Sequence, residues 1–317
     1  MMPRIGTGEL CDIGLVESHQ RLHQPADPSS GTDRAATGAA SPIPVDVDFE
    51  YALGVSDPQQ TLHTQGDDAR LWDLASVSKP IAALGVLIAV ERGLVDLDEA
   101  VDVPPSVTTP VPEGATVRHL LAHTAGYAFD GQELLAGPGE RRIYSNTGFE
   151  VLAAHVEEAT GYDFPDWMEQ TVVQELELRD LEVSGSPAAG YRGSIRDLLV
   201  VGRELLAPTL ISEELWRAAT TVQFAGLAGI LPGYGRQEPN DWGLGYEIRG
   251  EKHPHWTGAD SSPQTFGHFG QSGSFLWVDP QARLTAAFLG SAPFGKTHIR
   301  IWPGVTEEIL TRFGGRS

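Results

Sequence analysis

The chain has 317 residues, 41% hydrophobic and 21% charged, which is enough apolar content for a sizeable core and unlike a disordered segment. Its formal charge of −21 would repel phosphate backbones and anionic lipid surfaces, so neither nucleic acid nor membrane is an expected partner. A single cysteine, Cys11, leaves no internal disulfide.

Met1 to Ser18 include Glu9, Asp12 and Glu17 and lack the apolar centre of a signal peptide, so the expected address is the cytoplasm. Leu10, Ile13, Val16 and Leu22 lie at near-helical spacing, predicting a short amphipathic helix over residues 8–23. A Pro-, Ser- and Gly-rich stretch then reads as a flexible connector to residue 42. Val45 to Leu53 and Thr61 to Thr64 read as two strands around a turn at Ser56-Asp57-Pro58. Ile81 to Val90 is apolar on nearly all sides, as in a buried helix, and is too short to span a bilayer. Pro80 places the start of that helix, because proline is tolerated in a first turn and costly further in.

Val117 to His123, Thr147 to Thr160, Ser194 to Leu206 and Ser212 to Thr221 read as helices, the last with an acidic first turn. Asp241 to Arg249 alternates like a strand. Gly273 to Val278 and Arg283 to Leu289 form a hairpin around Asp279-Pro280-Gln281-Ala282, and a last helix is expected over Gly304 to Arg312. The expected class is α+β (an α/β sandwich): a mainly antiparallel sheet flanked by helices and built from both chain ends. Residues 43–95 and 223–317 would form that α/β lobe, with a mostly helical lobe inserted over 96–222. Residues 223–265 resist assignment and are expected to shape one wall of a cleft.

Ser76 and Lys79 share a helix face at i and i+3, and a partly desolvated lysine can take a serine's proton. Only three of the 22 basic residues are lysine, and arginine cannot serve as a base at neutral pH. The same spacing also fits an N-cap serine beside a solvated lysine. Tyr144-Ser145-Asn146 precedes a helix, where Tyr144 could act as a phenolate base or relay and Asn146 could donate its amide to a carbonyl; it also fits a plain helix cap. Gly267-His268-Phe269-Gly270-Gln271-Ser272-Gly273 offers exposed N–H donors beside a strand edge, or merely a tight loop. His253-Pro254-His255 reads as a surface loop, and no metal site or cofactor motif is expected.

In this order the elements resemble the serine β-lactamase and penicillin-binding-protein superfamily, most closely its class C β-lactamase, DD-peptidase and family VIII esterase branch. The resemblance rests on Trp72-Asp73-Leu74-Ala75-Ser76-Val77-Ser78-Lys79, on Thr116 to Gly126 with its His123-Thr124-Ala125-Gly126 end, on Tyr144-Ser145-Asn146, and on Phe266 to Gly270 with the following Ser274 to Pro280. It runs from about Val45 to the C-terminus. It implies Ser76 as an acylated nucleophile, Lys79 and Tyr144 sharing the proton transfers, and Asn146 orienting substrate. It further implies an oxyanion hole from the backbone N–H groups of Ser76 and Gln271, with His268 and Gly270 along the strand edge. No separate acidic deacylation base of the class A kind has a counterpart.

Two departures narrow the expectation. His268-Phe269-Gly270 stands where true β-lactamases commonly have Lys-Thr-Gly, and Ala125 stands where the branch often has serine. Losing a charge-assisted contact to a substrate carboxylate costs about 1.5–3 kcal/mol, so small esters or related acyl compounds are expected ahead of penicillins. The alternatives are a β-lactamase or a D-aminopeptidase/DD-peptidase-type activity on an amide or lactam, or a catalytically silent relative that binds a ligand in the same cleft.

Overall fold

Strand β1 (Tyr51–Ser56) turns at Asp57 into β2 (Thr61–Gln65), and the short β3 (Trp72–Asp73) leads to the candidate serine. Helix α1 (Ser78–Glu91) buries twelve consecutive residues, Ser78 to Ala89, which explains why its sequence has no polar face. Each fully buried Ile, Leu or Val of this run contributes about 1.5–3 kcal/mol relative to exposure. The chain then forms α2 (Val117–Leu121), α3 (Asn146–Thr160), α4 (Phe164–Met168), the two-residue β4 (Arg192–Gly193), α5 (Ile195–Leu206) and α6 (Glu213–Ala219). A small hairpin, β5 (Gly229–Leu231) and β6 (Gly235–Gln237), precedes β7 (Glu247–Ile248) and β8 (Phe266–Gly270). The chain closes with β9 (Ser274–Asp279), β10 (Leu284–Gly290) and α7 (Lys296–Phe313). This computed structural model describes residues 41–315, which fall in one compact unit. The helix expected over 8–23 and most of the connector lie outside the described residues.

The main sheet has six antiparallel strands in the order β2-β1-β10-β9-β8-β7, so the first strand pairs with the last, Tyr51 opposite Gly290. The expected α+β architecture, an antiparallel sheet built from both chain ends, is what forms. Successive side chains of a strand point to opposite faces. Phe275 and Trp277 of β9 join Phe288 of β10 and Trp302, Val305 and Ile309 of α7 in one core cluster. Leu276, Val278, Ala287 and Leu289 face a second cluster with α1 and α5. Both faces are therefore covered, and β9 and β10 read as continuous apolar runs because neither has a solvent side. Helix α5 approaches the sheet closely through two glycines: a Cβ on Gly54 would meet Ile195 at 2.6 Å, and one on Gly202 would meet Thr285 Oγ1 at 2.2 Å.

Three expectations need correction. Asp241 to Arg249 is not a continuous strand, because a tight turn folds Trp242 back against Glu247, with Gly243 N–H donating to Tyr246 O at 2.8 Å, and only Glu247–Ile248 pair with the sheet. Gly245 at φ +90° packs against the α1 residue Ala83, a place where a side chain would collide. The terminal helix begins at Lys296 and not Gly304; it carries Pro303 inside, and burial of Ile301 and Trp302 against the sheet offsets the lost backbone bond. Finally, His255 is not on a surface loop. It is buried, with Nε2 3.1 Å from both carboxylate oxygens of Glu247, although its neighbour His253 is exposed.

Glu247 is the centre of that buried cluster. Lys252 Nζ donates to its carboxylate and, at 2.7 Å, to the carbonyl of Asp241, while Trp256 Nε1 donates to Glu247 Oε2 at 2.9 Å. Burial alone would push the Glu247 carboxyl up, but Lys252 and His255 outweigh it and hold the acid well below the usual carboxylate range. Removing one partner of a buried pair leaves the other charge uncompensated. Glu247→Ala should therefore lower the free energy of unfolding by about 3–5 kcal/mol in urea denaturation, and a loss under about 1 kcal/mol would refute this role. Among the described residues no helix is long and apolar enough to cross a membrane.

Candidate active site

The nucleophile segment is a 3-10 turn, Ala75–Val77, placed between β3 and α1. Ser76 therefore lies one turn before the α-helix and not at its N-cap, which by geometry is Val77. Ala75 adopts φ +46°, a left-handed conformation uncommon for a residue with a Cβ, so the chain turns sharply just before the serine. Ser76 itself is half-buried. Backbone bonds hold the turn in place: Val77 N–H donates to Leu74 O at 3.1 Å, and Leu74 N–H to Tyr191 O at 3.0 Å.

Lys79, on the first turn of α1, is fully buried. Its Nζ donates to Asn146 Oδ1 at 2.6 Å and to the carbonyl of Ala188 at 2.8 Å, and it sits 4.6 Å from the centre of the Tyr144 ring. Burial lowers its pKa to about 7, against the pull of Asp130 and Glu150, which favour the ammonium. A neutral amine is thus accessible near neutrality, the property a general base requires.

Tyr144 immediately precedes the N-cap of α3, Ser145, whose Oγ accepts from Gly148 N–H at 3.1 Å. The tyrosine hydroxyl neighbours Ser76, whose side chain lowers its pKa, and lies 2.9 Å from His268 Nε2. Aromatic rings of His123, Phe129, Trp242 and His268 surround it at centroid distances between 4.7 and 5.8 Å. That surrounding disfavours the phenolate and favours the relay: burial raises the Tyr144 pKa far above its ordinary value, and the neighbouring Ser76 side chain lowers it by less.

Asn146, the first residue of α3, turns its carbonyl oxygen to Lys79 and donates Nδ2 to Asp130 Oδ1 at 3.0 Å. One of its two amide hydrogens is thereby committed inside the protein. His268 and Gly270 lie on β8. The β7 partner ends at Gly267, so residues 268–270 present an edge on that side. His268 is buried, and burial followed by the Lys79 charge pushes its pKa down to about 3, against Glu247. The imidazole is neutral across the physiological range and does not replace a lysine's permanent charge. Gly270 packs on the nucleophile turn so closely that a Cβ would meet Leu74 O at 2.4 Å, and Ser274 Oγ donates to the same carbonyl at 2.9 Å. Gln271 follows the strand, exposed, with its carbonyl accepting from Phe294 N–H at 2.9 Å.

The fold thus brings Ser76, Lys79, Tyr144, Asn146 and His268 into one chain of contacts, with Gly270 against the turn and Gln271 at its rim. Sequence reading missed the Ala188 carbonyl, Asp130 and Trp242. It also missed Arg142, a buried guanidinium that donates Nε to Asn240 O at 3.0 Å and Nη2 to Gln223 O at 2.6 Å, and whose Nη1 is bound to Ala122 O. Trp242 gives a findable signal as an aromatic in a Gly-rich stretch, whereas a backbone carbonyl gives none.

The sequence profile of the family described as Beta-lactamase matches residues 46–306, most of the chain. The chain belongs to the beta-lactamase family. A solved structure described as a beta-lactamase from Mycobacterium bovis is similar with a TM-score of 0.80 and 44% identity, over 85% of this chain and 97% of that one. EstCE1, described as a hydrolase with promiscuous acyltransferase activity, shares the fold with a TM-score of 0.69 at 18% identity, over 82% and 93% of the two chains. Penicillin-binding protein 4* of Bacillus subtilis is 28% identical over 186 residues, half of this chain and 38% of that protein's length. An uncharacterized protein of Alkalihalophilus pseudofirmus is 29% identical over 44% of this chain and 41% of its own length, so the chain matches well under half of these curated relatives.

The contact between Gly270 and the nucleophile turn sets the strand edge relative to Ser76. Gly270→Ala must displace one from the other, and misplacement near 1 Å can cost about 100-fold in rate. Ser76-dependent ester turnover by Gly270→Ala should fall at least about tenfold with the far-ultraviolet circular dichroism unchanged; wild-type kinetics would show that the close approach is immaterial.

Proposed function

We propose that this protein is a serine hydrolase that forms an acyl-enzyme on Ser76 and acts on small esters or related acyl compounds. The observation that carries this reading is the buried Lys79 amine, brought to about 7, 4.6 Å from the ring of Tyr144, whose hydroxyl neighbours the serine. Ser76 Oγ attacks the substrate carbonyl and its proton passes through the Tyr144 hydroxyl to the Lys79 amine. The resulting oxyanion is held by the backbone N–H groups of Ser76 and Gln271. As the bond to the leaving alkoxide breaks, Lys79 returns the proton to that oxygen through Tyr144. Water then attacks the acyl carbonyl as its proton passes to the same pair, and when the bond to Ser76 Oγ breaks the pair returns that proton to the serine oxygen, releasing the acid and a free Ser76. Asn146 holds the Lys79 amine toward the serine and keeps one amide hydrogen for substrate, while His268 fixes the Tyr144 hydroxyl from the other side.

A second reading, hydrolysis of a β-lactam, is favoured by the 44% identity to the structure described as a beta-lactamase. Against it stands the neutral His268 at the strand edge, which offers a carboxylate-bearing lactam no permanent charge. Nitrocefin turnover that matches ester turnover and disappears in Ser76→Ala would move the assignment to this second reading.

Incubation with a fluorophosphonate followed by intact-mass measurement should show one adduct on the wild type and none on Ser76→Ala. A wild type without adduct and without Ser76-dependent hydrolysis of a short p-nitrophenyl ester defeats the proposal. The lysine also fixes the pH dependence. Its folded pKa is lowered, so the ammonium predominates below about 7 and the basic amine above it. For a neutral ester kcat/KM should rise about tenfold per pH unit on the acid side and level off above an apparent pKa near 7. A flat profile from pH 5 to 9 would remove Lys79 from the proton transfers.

A further inference from the structure

A cleft of about 700 Å³ opens directly beside Tyr144. One lip is the loop carrying Phe129 and Leu135, and the other is the β5–β6 hairpin carrying Ile230 and Pro232. Pockets of about 300–1,000 Å³ suit ligands of drug size, so an acetyl ester would leave most of this space to water. Of the six large hydrophobic side chains exposed among the described residues, Phe129 (52%), Leu135 (44%) and Ile230 (60%) line this cleft, and Leu134 (41%) is next in sequence to one of them. Exposed apolar side chains scattered singly need no explanation, but a group gathered in one cleft beside Tyr144 does. The charged groups on its wall are Glu140 and three arginines: Arg142 spends its guanidinium on backbone carbonyls, Arg236 is paired with Glu238 at 2.8 Å, and Arg141 lies next to Glu140 in sequence. The lining is therefore selective by apolar area and not by charge.

Both lips are held rigidly to the chemistry. Asn146 N–H donates to Phe129 O at 2.7 Å and Ser145 Oγ to Ala128 O at 2.7 Å, tying the first lip to the start of α3. The hairpin's root is fixed by Arg142, two residues before Tyr144, through the carbonyl of Asn240, and Asn240 N–H closes the hairpin base onto Leu227 O at 2.8 Å. Phe129 stacks on Tyr144 at 5.8 Å and 25°. Along β5, Gly229 and Leu231 are buried while Ile230 turns outward, as the strand period requires.

We infer that this cleft binds a bulky apolar substituent of the substrate, a medium-length alkyl chain or an aromatic ring, and that Ile230 and Phe129 set the preference for it. The inference rests on the serine-hydrolase reading for the position of the reacting bond and deepens it by naming the substrate class. The substituent can belong to the acyl half or to the alcohol half, and the test separates the two.

Two ester series, acetate to octanoate on one p-nitrophenyl alcohol and methyl to octyl on one acetyl group, give kcat/KM against chain length. In one series the value should rise, by up to about fourfold for each methylene fully buried. In Ile230→Asp and Phe129→Ala the ratio of long-chain to acetyl or methyl substrate should drop at least about tenfold, read within each variant. Independently of turnover, Ser76→Ala should bind the longer member of one amide pair, N-hexylacetamide over N-ethylacetamide or N-methyloctanamide over N-methylpropanamide, about tenfold or more tighter in calorimetry, on the same half as the rising ester series and with the difference lost on adding Ile230→Asp. Equal values for long and short substrates and ligands in the wild type and Ser76→Ala overturn the inference, even if Ser76-dependent acetyl ester turnover is strong. Chain-length-dependent binding without any turnover would sustain the cleft and defeat only the hydrolase reading.

Discussion

The site depends on one unfavourable placement: a lysine amine held almost wholly out of water. Lys79 loses hydration on entering the interior and recovers only part of it from the Asn146 amide oxygen and the Ala188 carbonyl. Because neither acceptor carries a full charge, the ammonium is not rescued, and the amine titrates near neutrality. A carboxylate in place of Asn146 would restore the ammonium and remove the base. The aromatic shell around Tyr144 works in the same direction. It crowds the ring with apolar surface and pushes the phenol's pKa up. Burial thus moves both groups toward their neutral forms, the amine by lowering its pKa and the phenol by raising it.

The glycine contacts and the buried ion pair supply the rigidity that this placement needs. Gly54 and Gly202 let α5 lie close on the sheet, and Gly270 lets the strand edge reach the nucleophile turn. Glu247, Lys252 and His255 fill the interior behind β7, where Lys252 also donates to the carbonyls of Asp241 and Ile248. His268 feels that cluster as well, since Glu247 partly opposes the effects that strip it of charge. Core, strand edge and titration behaviour are therefore connected through a few side chains.

What the sequence made legible follows from how each feature is encoded. The buried helix, the β9–β10 hairpin and the mainly antiparallel sheet built from both chain ends were readable because apolar period and turn chemistry are local. Ser76, Lys79, Tyr144 and His268 were readable because side-chain chemistry at short spacing leaves a recognisable pattern. The alternation of Trp242, Leu244, Tyr246 and Ile248 misled, since Gly243 and Gly245 permit a reversal that periodicity does not register. The helix past Pro303 was hidden for a similar reason: tertiary packing of Trp302 outweighed a local breaker. Ala188 and Arg142 act through backbone carbonyls, and no residue pattern announces which carbonyl a distant side chain will meet. His255 looked solvated because its acidic partner lies eight positions earlier, across a loop without a regular period.

The pairing of Tyr51 with Gly290 has a consequence for biogenesis. As a ribosome delivers the polypeptide, β1 emerges early, but β10, the neighbour through which it joins the rest of the sheet, is made some 240 residues later, roughly 12–48 s at about 5–20 residues per second. The α1 helix, apolar all round, is also exposed until that sheet exists to cover it. The growing chain must therefore either be sheltered or stay loosely collapsed until its final hairpin arrives. The same closure has a second effect: a product that stops before β10 leaves β1 without the strand that joins it to the rest of the sheet, even when it already carries His268 and Gly270.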